Sequence, residues 1–281
     1  MTTLRQLIDE SKASLSPIYG DNEATWLIRT IMEHVKGWNQ VELAIRANEE
    51  VSEFIRHEVK SVVGRLCQYE PIQYIFGDTY WHGMTLKVSP SVLIPRPETS
   101  ELVDIIAGEN KATDLKVLDV CTGSGCIAVA LAKSLNFPDV DATDISSEAL
   151  DIAKSNASLH KVKINFRIED ALNMPSDDNR YDIIVSNPPY VMDSEKKQMD
   201  KNVLEYEPAL ALFVTDDNPL AFYKSIALYA KNALRDEGKL YFELNPLTAD
   251  SLLEWMKPQG WADLRLIRDM YAKKRFLLAV K

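Results

Sequence analysis

Residues 115–126 read Leu115-Lys116-Val117-Leu118-Asp119-Val120-Cys121-Thr122-Gly123-Ser124-Gly125-Cys126: an apolar run, a glycine-rich turn, then the start of a helical pattern. A short apolar run bounded by turn residues has the size of a buried strand. Glycines let the backbone approach a ligand closely, and the helix that follows offers unpaired N–H groups at its first turn. Asp144 ends the next apolar run, nineteen residues beyond Gly125. A carboxylate there can accept both ribose hydroxyls of an adenosine-type cofactor.

Outward from this unit, strand and helix alternate. Strands are expected at 115–120, 140–143, 164–168, 181–186, 239–244 and 276–280, and helices at 127–135, 148–157, 220–234 and 249–256. Such alternation implies an α/β fold, a doubly wound and mostly parallel sheet with helices on both faces. Ligands on these sheets bind at the carboxyl ends of the strands, so the chemistry is sought just after strands.

Two cofactors compete for the glycine loop. Gly123-x-Gly125-x-x-Ala128 also fits the dinucleotide fingerprint, which admits an NAD-dependent dehydrogenase. Asp119 counts against it, because a carboxylate facing the loop repels a pyrophosphate and suits a cationic, amine-bearing ligand such as S-adenosylmethionine. A glycine-rich turn with no ligand at all is the plainer reading, and the agreement in spacing of loop, helix and Asp144 weighs against it.

The strand at 181–186 runs into Asn187-Pro188-Pro189-Tyr190. Two prolines fix an extended backbone and keep its carbonyls out of a sheet ladder. The Asn187 side-chain oxygen and the Pro188 carbonyl can then face one planar NH₂ group, with Tyr190 as an aromatic wall. An amide or aromatic amine is a poor nucleophile because its lone pair is delocalised. Two acceptors that hold its N–H bonds orient it without a strong base. The plainer reading is a Pro-Pro turn after a buried strand.

The chain has 281 residues and a formal charge of −10, which counts against a grip on bare nucleic acid. Its three cysteines form no CxxC pair and only four histidines are present, so no metal site is expected. No apolar run approaches the roughly 18 residues of a membrane span. Met1-Thr2-Thr3-Leu4-Arg5 carries no basic-then-apolar signal, and the chain reads as cytoplasmic with no membrane partner.

Before the alternating region, two textures precede. Residues 1–70 read as a helical bundle, with Leu27, Ile28, Ile31, Met32 and Val35 at helical spacing, as are Phe54, Ile55, Val59, Val62, Val63 and Leu66. Asn39 caps a short helix from about Val41. Residues 71–97 read as a β-hairpin linker, with β-like runs at Tyr74-Ile75-Phe76, Tyr80-Trp81 and Leu86-Lys87-Val88 and a turn near His82-Gly83. Arg96-Pro97-Glu98-Thr99 opens a helix.

Five segments together resemble a known family. They are Glu70-Pro71-Ile72-Gln73-Tyr74-Ile75-x-Gly77, Val92-Leu93-Ile94-Pro95-Arg96-Pro97-Glu98-Thr99, the Asp119 loop, Asn187-Pro188-Pro189-Tyr190, and Glu207-Pro208-Ala209-Leu210. The chain is similar along nearly its whole length to the peptide chain release factor glutamine methyltransferases, the HemK/PrmC type. That resemblance implies a Rossmann-like class I methyltransferase domain over 98–281, behind a helical substrate-recognition domain over 1–70. It implies S-adenosyl-L-methionine bound by Asp119, Cys121, Thr122, Gly123, Ser124, Gly125, Asp144, Asp170, Ala171 and Asn187, with Ala171 along the adenine. S-adenosyl-L-homocysteine is the product, and no metal takes part. Asn187, Pro188 and Tyr190 would be catalytic, and Asn187 to Tyr190 would form the substrate pocket. The substrate implied is the glutamine of the Gly-Gly-Gln loop of class-one release factors, methylated on its side-chain amide nitrogen.

Three places depart from the family pattern. Cys121 stands where the methyltransferase loop has glycine; a small side chain is compatible at a negative φ and narrows the space beside the methionine moiety. Ser100 stands where glutamate is frequent, and Glu243-Leu244-Asn245-Pro246 replaces Glu-x-Gly. The charged, glycine-free stretch 193–207 is either a loop over the pocket or a solvated surface. Alternative functions are methylation of a ribosomal-protein glutamine, methylation of an adenine amine in DNA or RNA, and a non-catalytic cofactor-binding interaction protein. No stable nucleic-acid binding is expected.

Overall fold

The computed structural model describes residues 2–281. Its first compact unit comprises the chain up to Gly77 together with Asp200–Tyr206. Helices α1 (Leu4–Tyr19), α2 (Asp21–Lys36), α3 (Gln40–Ile45), α4 (Glu53–Leu66) and α5 (Ile72–Phe76) build it. Leu7, Leu15, Ile28, Ile31, Val59 and Leu66 meet in its core. Asn39 caps α3 in a reciprocal box with Glu42, as its residue type dictates. Phe54 does not join the buried stripe; it is exposed at the start of α4. Within this unit the Tyr206 hydroxyl donates to the Gln68 carbonyl at 2.7 Å, and the Lys201 ammonium lies 4.7 Å from the centre of the Tyr69 ring.

Tyr74-Ile75-Phe76 is not the β-like run expected of it. It forms the turn of α5, because Pro71 sets the helix entry and Gly77 closes it in the left-handed region at φ +79°. The hairpin itself follows, as β1 (Asp78–Trp81) and β2 (Met84–Lys87), turning at His82-Gly83.

The second unit, Asp78–Met199 with Glu207–Lys281, continues through α6 (Pro97–Glu109), β3 (Lys116–Val120), α7 (Cys126–Ser134), β4 (Asp139–Asp144), α8 (Ser147–Leu159), β5 (Ile164–Ile168), β6 (Tyr181–Ser186) and β7 (Val191–Met192). After a 3₁₀ turn, Asp193–Gln198, comes α9 (Lys201–Tyr206), which belongs to the first unit. Then follow α10 (Ala209–Leu212), β8 (Phe213–Val214), α11 (Ala221–Ala233), β9 (Leu234–Glu243), α12 (Ala249–Met256), β10 (Asp263–Arg268) and β11 (Lys274–Val280).

The seven-stranded sheet has the order β10-β11-β9-β6-β3-β4-β5. Five neighbours from β9 to β5 pair in parallel, and β11 and β10 close one edge antiparallel. Alternate strand residues feed two cores: Val117, Ile183 and Tyr241 pack with α6, α7 and α8, while Leu118, Ile184 and Leu240 pack with α11 and α12. That two-sided burial is why the parallel strands read as continuous apolar runs. The chain winds one way from β3 to β4 and the other way to β6, so the topological switch lies at the carboxyl ends of β3 and β6.

Candidate active site

The glycine loop leaves β3 at this switch and turns into α7. Its backbone is held from three sides. Thr122 N–H donates to the Thr143 carbonyl at 2.9 Å, Gly123 N–H to Asp144 Oδ2 at 2.8 Å, and the Asn156 side chain to the Ser124 carbonyl at 2.9 Å. Fully buried Asn156 also exchanges hydrogen bonds with the backbone of Lys87, so α8 ties loop and hairpin together. Gly123 and Gly125 both lie at positive φ, +54° and +77°. At Gly125 a Cβ would come within 2.9 Å of the Ala153 Cβ, so helix packing requires glycine there.

Cys121 lies at φ +61°, not at the negative φ expected of a tolerated side chain. Its thiol is pushed far up in pKa by burial, with the charges of Asp144 and Asp119 adding to the rise, so it is a neutral wall of the cavity.

Asp119 is completely buried beneath the loop. Its Oδ2 accepts the Thr122 hydroxyl at 2.6 Å and the Ala128 N–H at 3.2 Å, while its Oδ1 has no hydrogen-bond partner among the described residues. Burial pushes its pKa up to about 7, against the lowering effect of those two bonds. Asp144 is raised too, again by burial, and the N–H groups of Ser146, Gly123 and Ile145 oppose the rise.

Loop, Asp144 and Asn187 open onto one cavity of about 410 Å³. Cys121 to Ser124, Asp144, Asp170, Ala171, Asn187 and Pro189 line it; Asp119, Gly125, Pro188 and Tyr190 are not among its lining residues. Asp170 accepts from the Leu172 N–H and the Asn173 side chain, which shapes the turn after β5.

The Asn187–Tyr190 turn leaves β6 with both prolines buried. Asn187 Nδ2 meets Thr99 Oγ1 at 3.5 Å, and Thr99, in the first turn of α6, donates to Glu243 Oε2 at 2.7 Å. Tyr190 donates its phenol proton to Glu243 Oε1 at 3.2 Å and receives the Asn245 side chain on its carbonyl at 3.0 Å. Burial pushes the Glu243 carboxyl up, while Thr99, Arg275 and Tyr190 pull it down.

Sequence reasoning gave no role to Glu207, Arg96, Thr99, Glu243 or Asn156. Glu207 is buried, accepts Arg96 Nη2 at 2.6 Å and the Ile94 N–H at 3.3 Å, and so binds the segment before α10 to the segment before α6. Glu207 and Arg96 stand in two of the quoted motifs, but nothing local shows that each needs the other. No cluster of three or more His, Cys, Asp or Glu suited to a metal occurs among the described residues.

Comparison with known proteins agrees with this architecture. The model of the methyltransferase small domain matches residues 99–209, and that of the PrmC N-terminal domain matches residues 6–77. A release factor glutamine methyltransferase of Bacteroides thetaiotaomicron is 42% identical over 269 residues, covering 95% of this chain and 96% of that protein. One from Flavobacterium psychrophilum is 39% identical over 268 residues, 94% of each chain. One from Streptococcus pneumoniae is 43% identical over 223 residues, 78% of each. With a methyltransferase model on its sheet domain and such identity along almost its full length, the chain belongs to the release factor glutamine methyltransferase family.

Proposed function

We propose that this methyltransferase moves a methyl group from S-adenosylmethionine to the side-chain amide nitrogen of the glutamine in the Gly-Gly-Gln loop of class-one release factors. The observation that carries this reading is Asn187. Asn187 lines the same cavity as the glycine loop and Asp144, and its side-chain NH₂ is turned to Thr99. The Asn187 oxygen thus remains as an acceptor for a planar NH₂.

The residues present fit the cofactor. Gly123 lines the cavity at positive φ, and a Cβ there would meet nothing within 4 Å, so the loop leaves room for a ligand. Asp119 does not line the cavity; it lies beneath the loop, with one buried oxygen that has no hydrogen-bond partner among the described residues. Cys121 to Ser124, Asp144, Asp170 and Ala171, which line the cavity, would hold the cofactor. Bound there, it supplies an electrophilic methyl whose carbon–sulfur bond breaks onto sulfur as the amide nitrogen bonds to carbon.

The chain's own part is orientation. The Asn187 side-chain oxygen accepts an amide N–H bond, which aligns the nitrogen and enriches its electron density. Orientation of this kind supplies roughly several kcal/mol without a strong base. The proton shed by nitrogen passes to solvent, so no histidine or cysteine nucleophile is required. Pro189 lines the pocket beside Asn187, Tyr190 braces the turn from behind through Glu243, and residues 1–70 bind the body of the factor. A release-factor substrate implies action in the cytoplasm. No helix among the described residues is long and apolar enough to cross a membrane.

The test is transfer of labelled methyl to a purified release factor, beside a copy with its Gly-Gly-Gln glutamine replaced, with ribosomal protein and duplex DNA in parallel. Label on the intact factor alone is expected. Label on ribosomal protein or DNA would keep the pocket chemistry and overturn the substrate.

A further inference from the structure

We propose that Glu243 is a positioning residue that holds both ends of the Asn187–Tyr190 turn and directs the Asn187 side-chain oxygen into the cavity. The inference rests on the methyl-transfer reading above and adds a residue to it. Glu243 ends β9, which runs parallel to β6 with Phe242 opposite Ser186, so the next residue on each strand is Glu243 on one and Asn187 on the other. The Glu243 side chain is 1% exposed, and each of its oxygens accepts one hydroxyl: Oε2 from Thr99 and Oε1 from Tyr190.

The direction of these bonds follows from inventory. An ionised carboxylate offers acceptors only, and a threonine hydroxyl has a single proton. Once Thr99 donates to Glu243, its oxygen has only lone pairs left for Asn187. Asn187 therefore turns its NH₂ to Thr99, at 3.5 Å, and its oxygen away. Tyr190, at the other end of the turn, is fixed by the same carboxylate. A glutamine at 243 keeps the size but brings an NH₂ of its own. It can donate to Thr99, which releases the Thr99 proton toward the Asn187 oxygen and lets that amide turn over.

The experiment uses the full chain in four forms: native, E243Q, T99V and T99S. Three quantities are read: turnover on the release factor, cofactor affinity by calorimetry, and the ¹⁵N side-chain amide signals of Asn187, assigned by their loss in N187A. E243Q and T99V are expected to lower turnover by about tenfold or more while cofactor affinity changes by no more than about threefold. Both should shift the Asn187 amide signals. T99S restores the hydroxyl and should recover most of the turnover lost in T99V. Unmoved Asn187 signals in both E243Q and T99V would overturn the proposal. So would a T99S as slow as T99V, or an equal fall in turnover and cofactor affinity, which marks mere loss of architecture. If the native protein methylates no release factor, the substrate reading fails, while the amide signals still decide the role of Glu243.

Discussion

Asp144 Oδ2 accepts the backbone N–H of Gly123 at 2.8 Å, and Asp144 Oδ1 accepts that of Ser146 at 2.9 Å. The carboxylate that ends β4 thus braces the loop that follows β3 and lines the cavity beside it. Asp144→Ala removes the brace and, with it, the acceptor proposed for the ribose hydroxyls. Hydrogen bonds to a charged group contribute about 1.5–3 kcal/mol, so cofactor affinity should fall roughly 10- to 100-fold. Unchanged affinity by calorimetry would refute the ribose assignment.

Asn187→Ala leaves the glycine loop and Asp144 untouched and deletes the acceptor proposed for the substrate amide. Turnover should drop about 100-fold or more, the range seen when one preorganised polar group is removed from a reaction centre. Cofactor affinity should fall far less. Single-turnover methylation beside a cofactor titration checks this, and equal losses in the two would sink the orienting role.

Cys121 sits at φ +61°, where a Cβ crowds the backbone. The informative comparison is Cys121→Gly against Cys121→Ala, since both lose the sulfur and only alanine keeps the Cβ. Left-handed backbone costs an L-residue roughly 1–2 kcal/mol, and the greater freedom of unfolded glycine returns about 0.4–1 kcal/mol of that. The glycine variant should be the more stable by on the order of 1 kcal/mol in chemical denaturation. An alanine variant that is equally or more stable contradicts the strain.

Asp119 gives a pH signature. Its carboxyl, ordinarily near 3.8, is pushed up to about 7, chiefly by burial. The folded chain then keeps this proton where the unfolded chain has released it. This group's contribution to stability is thus complete below about pH 4 and is lost as pH rises to about 7. Asp119→Asn can keep the Thr122 and Ala128 bonds on its remaining oxygen and cannot ionise. Melting curves of native and D119N should therefore diverge between about pH 4 and 7, the native chain losing ground. Parallel curves would show that Asp119 ionises freely in the fold.

The central strands were legible because they are buried on both faces and run into glycine or proline signals, as Lys116–Val120 and Tyr181–Ser186 do. β10 was missed: as an edge strand it carries Asp263, Arg265 and Arg268 between its apolar residues, and an edge needs no continuous apolar run. α5 was misread because aromatic and β-branched residues favour strands unless a proline and a glycine close a single helical turn around them. In the site, the glycine loop, Asp144 and Asn187 declared themselves by spacing. The carboxylates Glu207 and Glu243 did not, since their partners Arg96 and Thr99 are 111 and 144 positions away in the chain. The backbone angle at Cys121 was equally silent, because residue type suggests a φ and only the surrounding loop imposes one.

The helical unit is assembled from two separate stretches of the chain, one ending at Gly77 and the other spanning Asp200–Tyr206. A gene fragment that stops at Gly77 encodes an incomplete module. It lacks the phenol that caps Gln68 and the cation that covers Tyr69. Recombination at that single boundary would graft a chimera with one ring uncovered and one carbonyl bare. The helical module is therefore inherited in two pieces, and any exchange of it between relatives has to carry the short piece along with the long one.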